Sequence, residues 1–168
     1  MPIITEVRFA HENGALADTL GRLPDHTVSI VRETGTDPEG NLYFVRFEGQ
    51  PAEDVETILE ADASVSEVKP MPGFAGEGMW GVSFAPGVRL MAPRVTNEDG
   101  FVLEARSTSN ADWDLRGWRE RWLLPGREAL QDIWQSAREE GFEFDVLEFR
   151  RRGRVDVKYA GLDAPTEE

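Results

Sequence analysis

Apolar and polar residues alternate in the first third of the chain in the pattern of half-buried strands. Residues 3–9 carry isoleucine, threonine, valine and phenylalanine on one face, with Glu6 and Arg8 on the other. This period of two favours a strand. The same criterion predicts further strands over 28–32, 42–47 and 65–68.

Two helices are predicted between these strands. Asn13 can cap a short helix over 15–20, since leucines recur at helical spacing through that segment. Pro51 suits a first helical position, and the residues after it keep helical spacing over 52–61 and as far as Asp62. The order is then β-α-β-β-α-β, the ferredoxin-like pattern, with both helices on one face of an antiparallel sheet.

The second part of the chain repeats this plan in outline. A turn-rich connector over 70–78 leads into it, and residues 109–117 are predicted to form an exposed loop. The helix at 126–140 has the clearest apolar stripe, which places Trp134 in the core together with Trp122. Strands are predicted at 79–84, 101–106, 118–124 and 142–149, with a short one at 89–92.

The predicted fold class is α+β, with two ferredoxin-like halves that each carry an antiparallel sheet. The first half covers 3–70 and the second covers 79–152, while residues 153–168 form a tail or linker. A chain of 168 residues suits one domain or two small ones.

The charge of the chain indicates its environment. Of 18 basic residues only Lys69 and Lys158 are lysines, against 32 acidic residues and a net charge of -14. Such a surface repels itself in dilute buffer and is screened in concentrated salt, while arginine pairs bidentately with the abundant carboxylates. We therefore expect a protein of a salt-rich cytoplasm that does not bind nucleic acid nonspecifically through this segment.

Several kinds of chemistry are not expected. The chain has no cysteine, which removes disulfides and thiolate ligands, and it shows neither a signal peptide nor an apolar run of membrane-spanning length. The glycine motif at 76–81 precedes a strand instead of the helix that a dinucleotide site requires. His11 and His26 are expected to be solvated loop residues. We predict no catalytic residue, no metal and no cofactor.

Two features of the second half are candidates for binding. Trp113 lies in a polar loop between two aspartates, so it either closes over a small-molecule ligand or partner surface, or folds back on the sheet. Trp80 and Trp118 would supply walls of that site, and Arg119 or Arg121 a handle for an anionic group. A basic run after the last strand would either compensate neighbouring carboxylates or contact a second domain or nearby DNA. It consists of Arg150, Arg151, Arg152 and Arg154.

The order of elements and four segments resemble a known family. The segments are the opening IITEVRF…LADTLGRLPDHTVSIVRET, then FEGQPAEDVETILEADASVSEV, MWGVSFAPGV and VLEARSTSN…WRERWLLPGREALQDIWQSAREEGFEFDVLEFRR. Over residues 3–152 the chain resembles the regulatory region of haloarchaeal bacterioopsin-activator-type transcription regulators, which is associated with GAF and helix-turn-helix domains. The resemblance implies a non-catalytic sensing or interaction module. Such a module would reach DNA only through a helix-turn-helix domain, which these residues lack, or through a partner regulator.

Two other functions stay open. A small α+β dimer-type enzyme acting on an aromatic or anionic small molecule would need a titratable group in a dry pocket, and its candidates are His26, Glu104 and Glu120. A pure dimerisation domain, with a homodimer as the working form, would need no such group.

Overall fold

The computed structural model describes residues 1–33, 42–49, 54–70, 78–108 and 115–151. Within those ranges it contains eight strands and four helices. They are β1 (Ile3–Ala10), α1 (Ala17–Arg22), β2 (Thr27–Glu33), β3 (Leu42–Glu48), α2 (Val55–Ala61), β4 (Val65–Pro70), β5 (Met79–Phe84), α3 (Ala92–Asn97), β6 (Phe101–Ser107), β7 (Trp118–Leu124), α4 (Arg127–Glu139) and β8 (Glu143–Arg151).

The eight strands form one sheet in the order β4-β5-β3-β2-β6-β7-β1-β8. Every neighbouring pair is antiparallel. The α+β class and the antiparallel pairing are therefore confirmed. Each helix among the described residues is too short or too polar to span a bilayer.

The first strand of each predicted half lies among strands of the other half. β1 pairs with β7 and β8, whereas β5 pairs with β3 and β4. Neither half closes a four-stranded sheet from its own consecutive strands, so two ferredoxin-like halves are not confirmed. The boundaries at 3–70, 79–152 and 153–168 stay predictions.

The helices share one apolar core with one face of the sheet. Leu20 of α1, Leu59 of α2, Val95 of α3 and Ile133 of α4 are buried in the same cluster as Trp122 of β7. Removal of this apolar surface from water is the main stabilising contribution. The other face of the sheet, which we call the open face, carries charged side chains such as Glu6, Arg46 and Arg119 together with apolar ones such as Phe44 and Leu123.

Asp62 is the first residue after α2, although its spacing predicts that it belongs to the helix. Its buried carboxylate accepts hydrogen bonds from the amide and hydroxyl of Thr19 at 2.9 and 2.7 Å, and from the amide and hydroxyl of Ser64 at 2.8 Å each. Four donors stabilise a charge that would otherwise be costly to bury. These bonds also hold α1 against the end of α2, so both helices lie on one face of the sheet, as predicted.

The strand predicted at 89–92 is wrong. Only Arg89 makes an isolated bridge, to Gly14, and the chain then enters α3. This helix has six residues and buries only Val95, so it carries too little periodicity to be recognised from sequence.

Two predictions of burial are also wrong. Trp134 is 41% exposed and lies beneath the guanidinium of Arg138, because α4 turns Ala129, Ile133 and Ala137 toward the sheet. His26, expected in solvent, is buried. His11 is half-buried, with Nε2 2.8 Å from the carbonyl oxygen of Glu140.

Candidate functional site

A row of arginines crosses the open face perpendicular to the strands. Residues directly opposite each other on paired strands point to the same face, and the register links one residue from each of five consecutive strands. In spatial order these residues are Arg46 (β3), Ser29 (β2), Arg106 (β6), Arg119 (β7) and Arg8 (β1). We call the four arginines the arginine row. At the usual strand spacing the row extends about 19 Å.

The row places like charges next to each other. Arg106 is directly opposite Arg119, and Arg119 is directly opposite Arg8, an arrangement that destabilises a sheet. Two members have acidic partners: Arg8 lies 2.7 Å from Asp145, and Arg119 pairs with Glu6. One end of the row is therefore partly neutralised within the molecule.

The other two members are exposed. Arg46 and Arg106 have no side-chain hydrogen bond or ion pair to another described residue. Both stand directly opposite Ser29, one on each side. Two guanidinium groups and a hydroxyl thus face solvent together, in a chain with 32 carboxylates. The arrangement suits an anionic group, which arginine can bind bidentately.

Carboxylates border the row on both sides along the strands. Glu104, Glu6 and Glu148 occupy the neighbouring row on β6, β1 and β8, together with Arg121 of β7. On the opposite side lie Glu48 of β3 and Glu143 of β8, the latter opposite Ala10. The row of positive charge is consequently bordered by carboxylates on both sides, and on one side Arg121 and Phe44 of β3 interrupt the acidic border.

The row crosses the boundary between β2 and β6. These two strands have a single residue pair in register, Ser29 with Arg106. We call this boundary the seam. Beyond that pair the seam is joined by side chains. Ser107 accepts a hydrogen bond from the amide of Val28 at 2.9 Å, in the position where backbone pairing would otherwise continue.

Arg116 holds the same end of the seam. Its guanidinium donates to the carbonyl oxygens of Leu20, Leu23 and His26 at 2.8–2.9 Å, on the α1–β2 side. It also donates to the Thr108 carbonyl at 2.8 Å and the Ser107 hydroxyl at 3.1 Å, on the β6 side. Burial lowers the pKa of Arg116, and the charge of Asp25 partly opposes this shift. The sequence pattern does not indicate a role for this residue, because it lies in a segment predicted only as loop.

The predicted ligand residues do not converge on one face. The indole of Trp118 is buried and donates to the carbonyl of Ala15 at 3.0 Å, whereas Arg119 and Arg121 lie on the open face. Trp80 of β5 is partly buried against the core. Trp113 lies outside the described residues, so the lid hypothesis stays a prediction.

The basic run is described only in part. Arg150 and Arg151 belong to β8, where their backbones pair with Ile4 and Ile3. Arg152 and Arg154 lie outside the described residues. A contact of this run with a second domain or with DNA therefore stays a prediction.

The titratable candidates for an enzyme are separated by the sheet. Glu104 is exposed on the open face. Glu120 is buried on the helix-covered face, where its carboxyl accepts a hydrogen bond from Trp122 Nε1 at 2.8 Å. Burial raises the pKa of Glu120 to about 7, and this hydrogen bond opposes the shift. Within the described ranges no group of three or more histidine and acidic side chains is placed to hold a metal ion.

An open groove of about 920 Å³ lies at the start of α4. Its walls carry acidic side chains, and Trp80, Trp118, Arg119 and Arg121 are not among its lining residues. The acidic lining residues are Glu98, Asp99, Glu128 and Asp132.

In comparisons with known proteins, no protein-family model and no curated protein matches the sequence.

Proposed function

We propose that this protein is a non-catalytic interaction or sensing module of a transcription regulator, and that the open face of its sheet is the working surface. The arginine row carries the proposal. Like charges that face each other across strands lower stability, and proteins tend to break such local rules where a function requires it. A bound anionic partner would offset that repulsion.

The topology supports a finer description of the fold. A ferredoxin-like sheet interlocks two βαβ units and has the strand order 4-1-3-2. The observed β4-β5-β3-β2 and β8-β1-β7-β6 follow this order if β5 serves as first strand of one unit and β1 of the other. We therefore infer two ferredoxin-like units that have exchanged their first strands. The two units meet at the seam, where β2 pairs with β6.

This exchange gives the arginine row a role in sensing. Arg46 belongs to one inferred unit and Arg106 to the other, and Ser29 lies between them. A partner that contacts both arginines bridges the two units. Binding would stabilise their arrangement at the seam, the place in the sheet with the shortest strand pairing.

The setting follows from the resemblance of residues 3–152 to haloarchaeal bacterioopsin-activator-type regulators. We propose that the module works in a salt-rich cytoplasm, in keeping with the net charge of -14. DNA recognition would belong to a helix-turn-helix domain or a partner regulator. The module itself would change that partner's activity when the open face is occupied.

A chromosomal variant tests this function. Cells that encode the protein with both Arg46→Gln and Arg106→Gln should change the abundance of a defined set of transcripts, at unchanged abundance of the protein. The matched control is Arg22→Gln, which removes an exposed positive charge from α1 on the other side of the sheet. Transcript profiles that are identical in the double variant and the control would contradict the proposed function.

A further inference from the structure

We propose that the arginine row binds an acidic polypeptide segment in extended conformation, which lies along the row and crosses the seam. This inference rests on the proposed function, because it names the partner chemistry of the same surface. Carboxylates of the segment would pair with Arg46 and Arg106, the two members without an acidic partner among the described residues.

The shape of the charged surface favours a narrow partner. Glu104 and Glu6 border the row on one side, with Arg121 between them, while Glu48 and Glu143 border it on the other. An extended peptide can follow such a line with acidic side chains directed to the arginines. A duplex carries about one charge per 1.7 Å along its axis, so its phosphates would also meet the acidic margins.

The chemistry of the row also favours a polypeptide over a single-stranded nucleic acid. Such strands are held by aromatic rings on which bases stack, in addition to basic groups. Phe44 of β3, two residues before Arg46 on the same face, is an aromatic side chain beside one end of the row, whereas Phe101 of β6 is paired with Leu123 beyond the row of Glu104. The row itself has no aromatic member, so from Ser29 to Arg8 it offers bases no ring on which to stack.

Ser29 determines where the segment is held most tightly. It is directly opposite both Arg46 and Arg106, so a carboxylate above it can accept hydrogen bonds from two guanidinium groups and a hydroxyl. Arg119 and Arg8, which already pair with Glu6 and Asp145, would add weaker attraction further along. The seam is therefore the expected centre of the binding site.

Fluorescence anisotropy with defined probes tests the inference. The probe is a fluorescein-labelled peptide of alternating glutamate and glycine, compared with an alternating glutamine and glycine peptide and with labelled oligo-dT. Binding is measured at several KCl concentrations at which circular dichroism shows a folded chain. We expect the acidic peptide to bind best, with an affinity that falls as salt rises.

Variants locate the binding. Arg46→Gln together with Arg106→Gln should weaken binding of the acidic peptide by about tenfold or more, the loss expected from one or two charge-assisted hydrogen bonds. Arg22→Gln should leave the affinity unchanged. Equal weakening by both variants would overturn the inference, because it would mean attraction by overall charge.

Two further outcomes would overturn the partner chemistry. One is an acidic peptide that binds no better than the glutamine peptide. The other is oligo-dT that binds more tightly than the acidic peptide and depends on the same two arginines. If either occurs while the chromosomal double variant still changes transcripts, the proposed function stands and only the partner class is wrong. If the peptide binds as expected and transcripts do not change, the proposed function fails.

Discussion

Replacing Arg116 by alanine should lower the free energy of unfolding by about 3–5 kcal/mol, because bonds of a charged donor to buried acceptors are among the stronger ones. The guanidinium makes five hydrogen bonds, to four carbonyl oxygens and the Ser107 hydroxyl. The Leu20 carbonyl lies in the last turn of α1, and residue 24, which would donate to it in a longer helix, is proline and has no N–H. Urea unfolding followed by circular dichroism measures the loss.

Two comparisons make the Arg116 result specific. Arg116→Lys should recover only a minor part of the stability, because one ammonium group cannot reproduce a planar fork of donors. Arg89→Ala removes an exposed arginine that pairs with Glu140, and it should cost less than about 1 kcal/mol. An Arg116→Ala variant as stable as Arg89→Ala would contradict the role assigned to the guanidinium.

Glu120→Gln should stabilise the protein above pH 7 by up to about 3 kcal/mol. Burial raises the pKa of Glu120 to about 7, so the folded state holds a proton that the unfolded state releases near pH 4.5. This contribution to stability is complete below pH 4.5 and is lost as pH rises through 7. Glutamine stays neutral and keeps an oxygen to accept the bond from Trp122 Nε1.

The measurement is the free energy of unfolding of both proteins across that pH range. The difference between variant and wild type should grow with pH and level off above 7. Glu104→Gln controls for the loss of one acidic residue, since Glu104 is exposed on the open face of the neighbouring strand. A Glu120→Gln variant that is less stable than wild type at pH 8 would contradict a costly buried carboxylate.

Local pattern predicted the strands well. β5 and β7 have the predicted bounds, and the alternation in β7 correctly assigned Arg119 and Arg121 to one face and Trp118 and Trp122 to the other. This works because strand residues alternate strictly between faces. The same pattern does not predict which strands are neighbours in the sheet. It therefore does not predict which residues of other strands lie beside a given residue on the same face.

The pairing of strands that are distant in the sequence is therefore not predicted by local patterns. The arginine row exists because β2 pairs with β6 and β1 pairs with β7, and no local signal encodes either choice. Arg46 and Arg106 were not candidates for that reason, although each stands at a polar position of its strand. The sequence does predict Arg119 as a ligand residue, but it places Arg119 in one site with Trp118, whose side chain points to the opposite face.

Trp134 shows the same limit in a helix. Its position next to Ile133 placed it within the width of an apolar stripe, yet α4 contacts the sheet through Ala129, Ile133 and Ala137. The small alanines bring the helix close to the strands and leave the indole at the outer edge. Periodicity indicates a stripe, whereas packing distance decides its width.

The central claim is that the open face binds its partner through the arginine row. The most direct measurement is an NMR titration of the arginine Nε–Hε signals of the full chain with the glutamate and glycine peptide. We expect the signals of Arg46 and Arg106 to shift most, that of Arg119 to shift less, and that of Arg22 to stay in place. Shifts confined to arginines on the helix-covered side would contradict the claim.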